Sequence, residues 1–550
     1  MIKAVNLEKK FKNTIAINNI SFEAKSGLIT GLVGSDGAGK TTLLRLLVGL
    51  MKPTSGNLEV LGFKMPNSSQ EFLSSIGYMP QNFGLYEELS CYENLKLYAT
   101  LQDIQNQNDR INELLEFTKL APFKNRFAKN LSGGMKQKLA LSCALIRKPK
   151  LLLLDEPGVG VDPIARKELW NMTKELQKDG ITVIWATSYQ DEANLCDEVI
   201  MLNEGEILLH ENPQNAKKIL KNRVFLINID DKKTYLDTLK SDPNILDASI
   251  LGDDIKFSIR KNAKFEIPKN AKTIEPSFED LFLDLLNPKN IKISSLKTDI
   301  FKSDKPVIQA INLTKKFGDF TATNNINFSV NSGEIFGLLG PNGAGKSTTF
   351  KMLCGLLKPT SGKALVLGQD LYEKAQETKQ KIGYMAQKFS LYQNLNLTDN
   401  LDFFAGIYGL KGRQKKEKID QMIETFEFKK YLKSTVLELP LGIKQRLSLA
   451  CAIMHEPSVL FLDEPTSGVD SVTRREFWTH INALSKNGVS VMVTTHLMDE
   501  AELCDKIMII YKGKDIKTGS PSKIKSDIKN NATMEEAFIK LVKDYENSKY

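Results

Sequence analysis

Short apolar runs alternate with amphipathic stretches along the chain, and the alternation predicts an α/β fold. MIKAVNLEKKF and NNISFEAKSG alternate apolar and polar positions and read as paired antiparallel strands. LITGLVG is an apolar run of buried-strand length, and TTLLRLLVGL after it has helical spacing. NLEVLG and IGYMPQ read as further strands, the second ending at Gln81. From Asn94 to about Ala128 the pattern turns helical, and LSGGMKQKLALSCALI starts another helix at a Ser-Gly-Gly turn. KLLLLDEP is a buried strand with two acids at its end. RKELWNMTKELQK is an amphipathic helix, TVIWATS a strand, and EANLCDEVIMLNEGEI a helix and hairpin. The sum is a mainly parallel sheet with an antiparallel flank and an inserted helical block.

The whole pattern then repeats. Lys40 pairs with Lys346 and Gln81 with Gln387, both at an offset of 306 (346 − 40; 387 − 81). Asp155 pairs with Asp463 and Cys196 with Cys504 at an offset of 308 (463 − 155; 504 − 196). A period this long means two copies of a domain rather than a solenoid. The expected boundaries are 1–220 for the first copy and 307–520 for the second. Residues 221–287 read as β-α-β-β-α, a small α+β domain between the copies. Residues 288–306 form a polar linker that should be flexible, and 521–550 a C-terminal helix. ATMEEAFIKLVKDYE in that helix echoes SFEDLFLDLL at the end of the small domain.

Composition narrows the class. A chain of 550 residues exceeds one ordinary domain of about 150 residues. No run of 18 or more apolar residues occurs, so none is expected to span a membrane. The first residues lack a secretory pattern. Six cysteines without CxxC spacing read as reduced core residues in the cytoplasm. The net charge of +9 is mild, and KGRQKKEK at Lys411 to Lys418 reads as a solvated face rather than a nucleic-acid site. That balance also suits work near an anionic membrane surface. His210, His455 and His480 are isolated and carry no metal expectation.

The chemistry is concentrated in two glycine-rich stretches. GSDGAGKT comprises Gly34, Ser35, Asp36, Gly37, Ala38, Gly39, Lys40 and Thr41, with Thr42 following. GPNGAGKS comprises Gly340, Pro341, Asn342, Gly343, Ala344, Gly345, Lys346 and Ser347, with Thr348 following. Each fits G-x-x-x-x-G-K-[ST] between a strand and a helix, the phosphate-cradling P-loop. Backbone N–H groups and the helix N-terminus attract phosphate. The lysine should reach the β- and γ-phosphates and the hydroxyl should bind Mg²⁺. Asp155-Glu156 and Asp463-Glu464 end apolar strands. The first acid there can hold Mg²⁺ and the second can orient or deprotonate a water.

The ordered set resembles the ATP-binding cassette (ABC) family, over roughly residues 1–211 and 307–519. The resemblance implies an ATPase using ATP and Mg²⁺. It places Gln81 and Gln387 in Q-loops as metal contacts, beside Thr41, Asp155, Ser347 and Asp463. It makes Glu156 and Glu464 catalytic, with Gln387 and the switch histidine His496. Ser132, Gly133 and Gly134 of LSGGMKQ and Gly442 of the second copy become signature residues. Asp162 and Asp470 become D-loop aspartates, and Phe11 and Phe317 adenine-stacking rings. It also implies a head-to-tail pairing of the two cassettes within one chain, each ATP bound by one P-loop and the other cassette's signature.

Two departures then fall in one composite site. Ser188 stands where the second copy has His496, and LPLG, with Pro440 and Leu441, stands where the first copy has LSGG. The expectation is one consensus site, with Lys346, Asp463, Glu464 and His496, and one degenerate site. The first D-loop also departs, reading EPGVGVD for EPTSGVD. The resemblance extends to ATPases of bacterial multidrug-type exporters. That implies efflux of drug-like or lipid-like substrates through separately encoded transmembrane permease subunits, with a periplasmic adaptor as a further candidate partner. The chain would then sit peripherally at the cytoplasmic face of the inner membrane. Residues 82–95 and 388–401 are expected to grip the permeases. The alternative is a tandem-cassette translation factor on the ribosome. It would need a charged helical hairpin between the cassettes and two intact signatures, whereas the intervening segment is strand-rich and one signature is broken. A chromosome or DNA-repair ATPase would need an inserted coiled coil or zinc hook, and neither pattern occurs.

Overall fold

The computed structural model describes residues 1–12, 14–82, 84–287, 303–372, 378–387, 390–529 and 532–548. Most of the 288–306 linker therefore lies outside the described residues, as do parts of the two candidate permease-gripping segments. The chain divides into two compact units. One holds Met1–Lys221, Glu275–Asn287 and Asp470–Val472, and the other holds Asn222–Ile274 and the remaining described residues.

Each cassette is built on a six-stranded sheet. In the first the order is Glu206–Glu211, Glu198–Asn203, Ile29–Gly34, Thr182–Thr187, Leu151–Asp155, Ile76–Met79. In the second the same neighbours recur as Lys514–Gly519, Lys506–Tyr511, Ile335–Leu339, Ser490–Thr495, Val459–Asp463, Ile382–Met385. All pairings are parallel except the closing hairpins. The P-loop strands, Ile29–Gly34 and Ile335–Leu339, are buried along their whole length, which is why they read as unbroken apolar runs. A four-stranded antiparallel sheet flanks each core, starting from Ile2–Phe11 and Thr14–Ala24 in one copy and Ile308–Phe317 and Phe320–Val330 in the other.

The helical block is also duplicated. Cys91–Leu101, Gln107–Phe117 and Gly133–Ala144 correspond to Leu397–Ile407, Gly412–Thr425 and Leu441–Ile453. Ser90 and Glu93 close a capping box at the first of these, a start signal the helical pattern alone misses. One strand ends earlier than its apolar pattern suggests. Ile76–Met79 stops before Pro80, so Gln81 lies beyond the strand, and its counterpart Ile382–Met385 stops at the same point before Ala386.

The segment read as one small domain, 221–287, is divided between the units. Its sheet, in the order Ile245–Leu251, Asp254–Ile259, Val224–Asn228, Lys272–Thr273, belongs to the second unit. The helix Lys232–Ser241 supplies Leu236 and Leu239 to a core with Phe225, Ile255 and Phe257. The last helix, Phe278–Leu286, belongs to the first unit and packs beside Gln190–Ala193. The C-terminal segment holds two helices, Pro521–Ser526 and Met534–Asn547, rather than one. Met534–Asn547 packs on Met498–Glu502, the counterpart of Gln190–Ala193. Each cassette thus carries a terminal helix at the same place, as the echo between the two end sequences suggested.

Candidate functional site

Both P-loops close over a helix N-terminus made for an anion. The helices Lys40–Val48 and Lys346–Leu353 start at Gly39 (φ 107°) and Gly345 (φ 106°), and neither start has a side-chain cap. The first-turn N–H groups are left for a ligand. A side chain at Gly340 would place its Cβ 2.3 Å from Ile510 O, and one at Gly34 2.4 Å from Leu202 O, so the loops can lie this close to the sheet only as glycine.

Lys346 Nζ donates to Gly340 O at 2.7 Å and Pro341 O at 3.1 Å, and lies 3.8 Å from Glu464 Oε1. Lys40 Nζ donates to Gly34 O at 2.7 Å and Ser35 O at 3.1 Å, and pairs with Glu156 Oε1 at 3.1 Å. Both ammonium groups are buried at the mouth of the cradle.

The strand-end acids differ between the copies. Asp155 Oδ1 accepts from Thr41 Oγ1 at 3.1 Å, and Oδ2 from Tyr78 OH at 3.4 Å. Asp463 instead accepts from Thr494 Oγ1. Sheet register explains the change: Asp155 faces Ala186, while Asp463 faces Thr494. Burial raises both aspartate pKa values, with Thr41 and Thr494 respectively opposing the rise. A dication would relieve that burial cost, and hydroxyl and carboxylate oxygens are the hard donors Mg²⁺ takes. The Thr41 and Asp155 donor set at the first P-loop therefore fits Mg²⁺.

The second acids differ more. Glu464 and Glu156 both hold positive φ, 48° and 53°, so each carboxylate turns off its strand end. Glu464 Oε2 accepts from Gln387 Nε2 at 2.8 Å, and His496 Nδ1 lies 3.3 Å from the same oxygen. Burial pushes Glu464 up, but His496, Lys346 and Gln387 together outweigh it, so the net shift is downward and the group stays ionised. His496 is 2% exposed and its Nε2 is buried without a hydrogen-bond partner. A buried, unsatisfied donor-acceptor beside a phosphate cradle fits a nucleotide phosphate. Glu156 Oε2 instead accepts from both Ser188 N and Ser188 Oγ at 3.1 Å, while Gln81 is exposed.

The signature residues sit at helix starts within their own cassettes. Ser132 caps Gly133–Ala144 by accepting from Met135 N at 3.3 Å. A Cβ at Gly134 would lie 2.5 Å from Ala165 Cβ, on the helix that Asp162 caps. Pro440 occupies the matching cap of Leu441–Ile453 and supplies no side-chain bond. Proline is tolerated there because the first N–H groups of a helix have no partner within it. Gly442 packs on Thr473. Phe11 and Phe317 are 42% and 49% exposed at strand ends, so neither is a core ring.

A further difference between the copies lies behind the strand-end acids. Thr466 donates its hydroxyl to Glu500 in the second cassette, but the first has Gly158 there and Glu192 Oε1 is left buried without a partner. Burial raises the Glu192 pKa to about 7, opposed by Arg166. A raised carboxylate pKa favours the native state below the unfolded value near 4.5 and loses that benefit as pH rises through about 7. Glu192→Gln is therefore expected to raise the melting temperature of the first cassette by a few degrees at about pH 8 and to flatten its pH dependence, read by calorimetry across pH 4 to 8.

Two uncapped, glycine-lined helix starts, each facing a strand that ends in Asp-Glu, define a P-loop ATPase built twice. The ABC transporter family matches residues 17–159 and 323–467. The chain is 50% identical over 98% of its length, and 97% of the relative's, to "Probable multidrug ABC transporter ATP-binding protein YbhF" of Escherichia coli (strain K12). It is 38% identical over 40% of its length, and 72% of the relative's, to "Nod factor export ATP-binding protein I" of Rhizobium sp. (strain N33). A solved structure, "Structure of ATP binding subunit of ABC transporter", aligns at 25% identity with a TM-score of 0.40, covering 43% of this chain and 99% of that one. The chain belongs to the ABC transporter family and is an ATP-hydrolysing, two-cassette ATP-binding protein. Among the described residues no helix is long and apolar enough to cross a membrane.

Proposed function

We propose that the chain drives an exporter of drug-like or lipid-like molecules, working with separately encoded permease subunits at the cytoplasmic face of the membrane, and that one of its two ATP sites does the hydrolysis. The export reading follows the names its relatives carry, multidrug transporter and Nod factor export. A ribosome factor is disfavoured because Asn222–Ile274 is a small sheet with one helix rather than a charged helical hairpin.

The observation that carries the asymmetry is the environment of the two glutamates. Glu464 meets Gln387, His496 and a lysine at 3.8 Å. Glu156 is held by Lys40 at 3.1 Å and by two bonds from Ser188. The hydrolytic site would pair Lys346, Ser347, Asp463, Glu464 and His496 with Ser132, Gly133 and Gly134. The holding site would pair Lys40, Thr41, Asp155 and Glu156 with Pro440, Leu441 and Gly442. In each, the P-loop N–H groups bind the phosphates and Phe11 or Phe317 stacks on adenine. Thr41 or Ser347, the strand-end aspartate, and Gln81 or Gln387 would hold Mg²⁺, which neutralises charge on the transferring phosphate when bound. In the hydrolytic site Glu464 takes the proton of the attacking water, and His496 contacts the γ-phosphate side.

Restoring the degenerate site tests this. In a Glu464→Gln background, Ser188→His with Pro440→Ser and Leu441→Gly is expected to raise steady-state ATP turnover at least about tenfold. No gain, with ATP binding intact, would contradict the assignment of those three positions.

A further inference from the structure

The sheet-bearing segment Asn222–Ile274 touches the second cassette at places that lead directly to its nucleotide site. One face of the helix Ser471–Lys486 is held along its length, since residues 475, 479 and 486 share a side of a 3.6-residue helix. Asp247, 8% exposed, pairs with Arg475, 13% exposed. Lys240 Nζ donates to Thr479 Oγ1 at 2.9 Å, and Lys486 Nζ pairs with Asp237 at 2.6 Å. This helix follows the D-loop aspartate Asp470.

A second contact reaches the base of the P-loop strand. Lys233 Nζ donates to Ser485 Oγ at 2.8 Å and Gly333 O at 3.3 Å, and lies 3.2 Å from Asp505 Oδ2. The same Asp505 oxygen accepts from Ile335 N at 2.9 Å, the first amide of the strand that ends at Leu339.

A third reaches the helix after the switch histidine. The turn between Ile245–Leu251 and Asp254–Ile259 puts Gly252 N on Glu502 O at 3.0 Å and Asp253 N on Ser522 Oγ at 2.9 Å. Glu502 ends the helix Met498–Glu502, which starts two residues beyond His496. Gly252 holds φ 63°, and a Cβ there would meet Ser522 Oγ at 2.4 Å, so the turn is fitted to this surface.

The first cassette differs in sequence at these points. Its equivalent helix, Pro163–Lys178, carries Lys167, Asn171 and Lys178 at the matching positions. Among the described residues after Gly519 there are helices and no strand.

We propose that Asn222–Ile274 is a positioning element for the second cassette, bracing the helices Ser471–Lys486 and Met498–Glu502 against the P-loop strand. Lys233, Asp247 and Gly252 are its positioning residues, and it rests on the reading that Glu464 and His496 form the hydrolytic site. Sub-ångström placement of such groups matters because a misplacement of about 1 Å can cost about a hundredfold in rate.

Gly252→Val and Asp247→Asn in the full chain test the brace. Turnover number is expected to fall roughly tenfold with KM for ATP nearly unchanged. Asp247→Arg combined with Arg475→Asp, which remakes the pair, is expected to turn over faster than either single charge reversal. Amide hydrogen exchange read without nucleotide is expected to speed up in Met498–Glu502 and Ser471–Lys486 and to stay unchanged in Lys40–Val48. Unaltered exchange in both helices, in Gly252→Val and Asp247→Asn alike, would overturn the brace even if Glu464 proves catalytic. Altered exchange with unaltered turnover number would also overturn it, as the contact would then be structural only. A Glu464→Gln control that still turns over would fault the site assignment separately, since exchange reads the brace without hydrolysis.

Discussion

Glu464→Gln is expected to lower steady-state ATP turnover by roughly 10²- to 10⁴-fold, the range for removing a general base. The substitution keeps the volume and an oxygen for the Gln387 amide, now 2.8 Å away. It removes the charge that Lys346 and His496 face at 3.8 and 3.3 Å. An amide cannot accept the water's proton. In the role proposed for it, the Glu464 carboxylate is ready to accept that proton, because burial, which would protonate it, is outweighed by His496, Lys346 and Gln387. ATP binding should persist or tighten, since the P-loop is untouched and one negative charge near the phosphates is gone. A phosphate-release assay with a parallel nucleotide-binding measurement reads both halves of the expectation.

Gly345→Val is expected to weaken ATP binding about a hundredfold or more at the second cassette. Gly345 sits at φ 106° and caps the P-loop helix. A valine there adopts a left-handed conformation at a cost of roughly 1–2 kcal/mol. Its Cβ would also stand 2.6 Å from Ala322 O, a backbone atom of the flanking sheet that cannot swing aside. The loop must therefore open or the helix start must shift, and either change withdraws the N–H groups from the phosphates. The equivalent Gly39 has Ala16 O at 2.5 Å, so the same change at Gly39 is expected to weaken the other site similarly. Titration with a fluorescent ATP analogue against each single variant separates the two sites.

Much of the proposed site is legible in the sequence, because P-loops and strand-end acids are local in sequence and their chemistry demands fixed spacings. Lys40 beside Glu156 and Lys346 beside Glu464 come together because parallel strands end at one edge of the sheet. What could not be read is lateral. Whether Asp463 meets Thr494 or Asp155 meets Thr41 depends on strand register across some thirty residues of chain, and Ala186 in place of Thr494 changes the partner. The bond from Ser188 to Glu156 likewise gives the missing histidine a second meaning, since the serine binds the acid itself. The division of 221–287 was also hidden. β-α-β-β-α spacing identifies a local unit but not which surface its charges meet, and Asp247, Lys240 and Lys233 look like ordinary solvated positions until Arg475, Thr479 and Asp505 are placed beside them.

The two sites are proposed to be unequal, with Glu464 as the base. The decisive comparison is ATP turnover of Glu156→Gln beside Glu464→Gln, in the chain assembled with the permease subunits proposed for it. Glu156→Gln is expected to keep most of the wild-type rate while Glu464→Gln loses it. Equal and near-complete loss in both variants would mean that the sites fire as a coupled pair, and would contradict the division into one hydrolytic and one holding site.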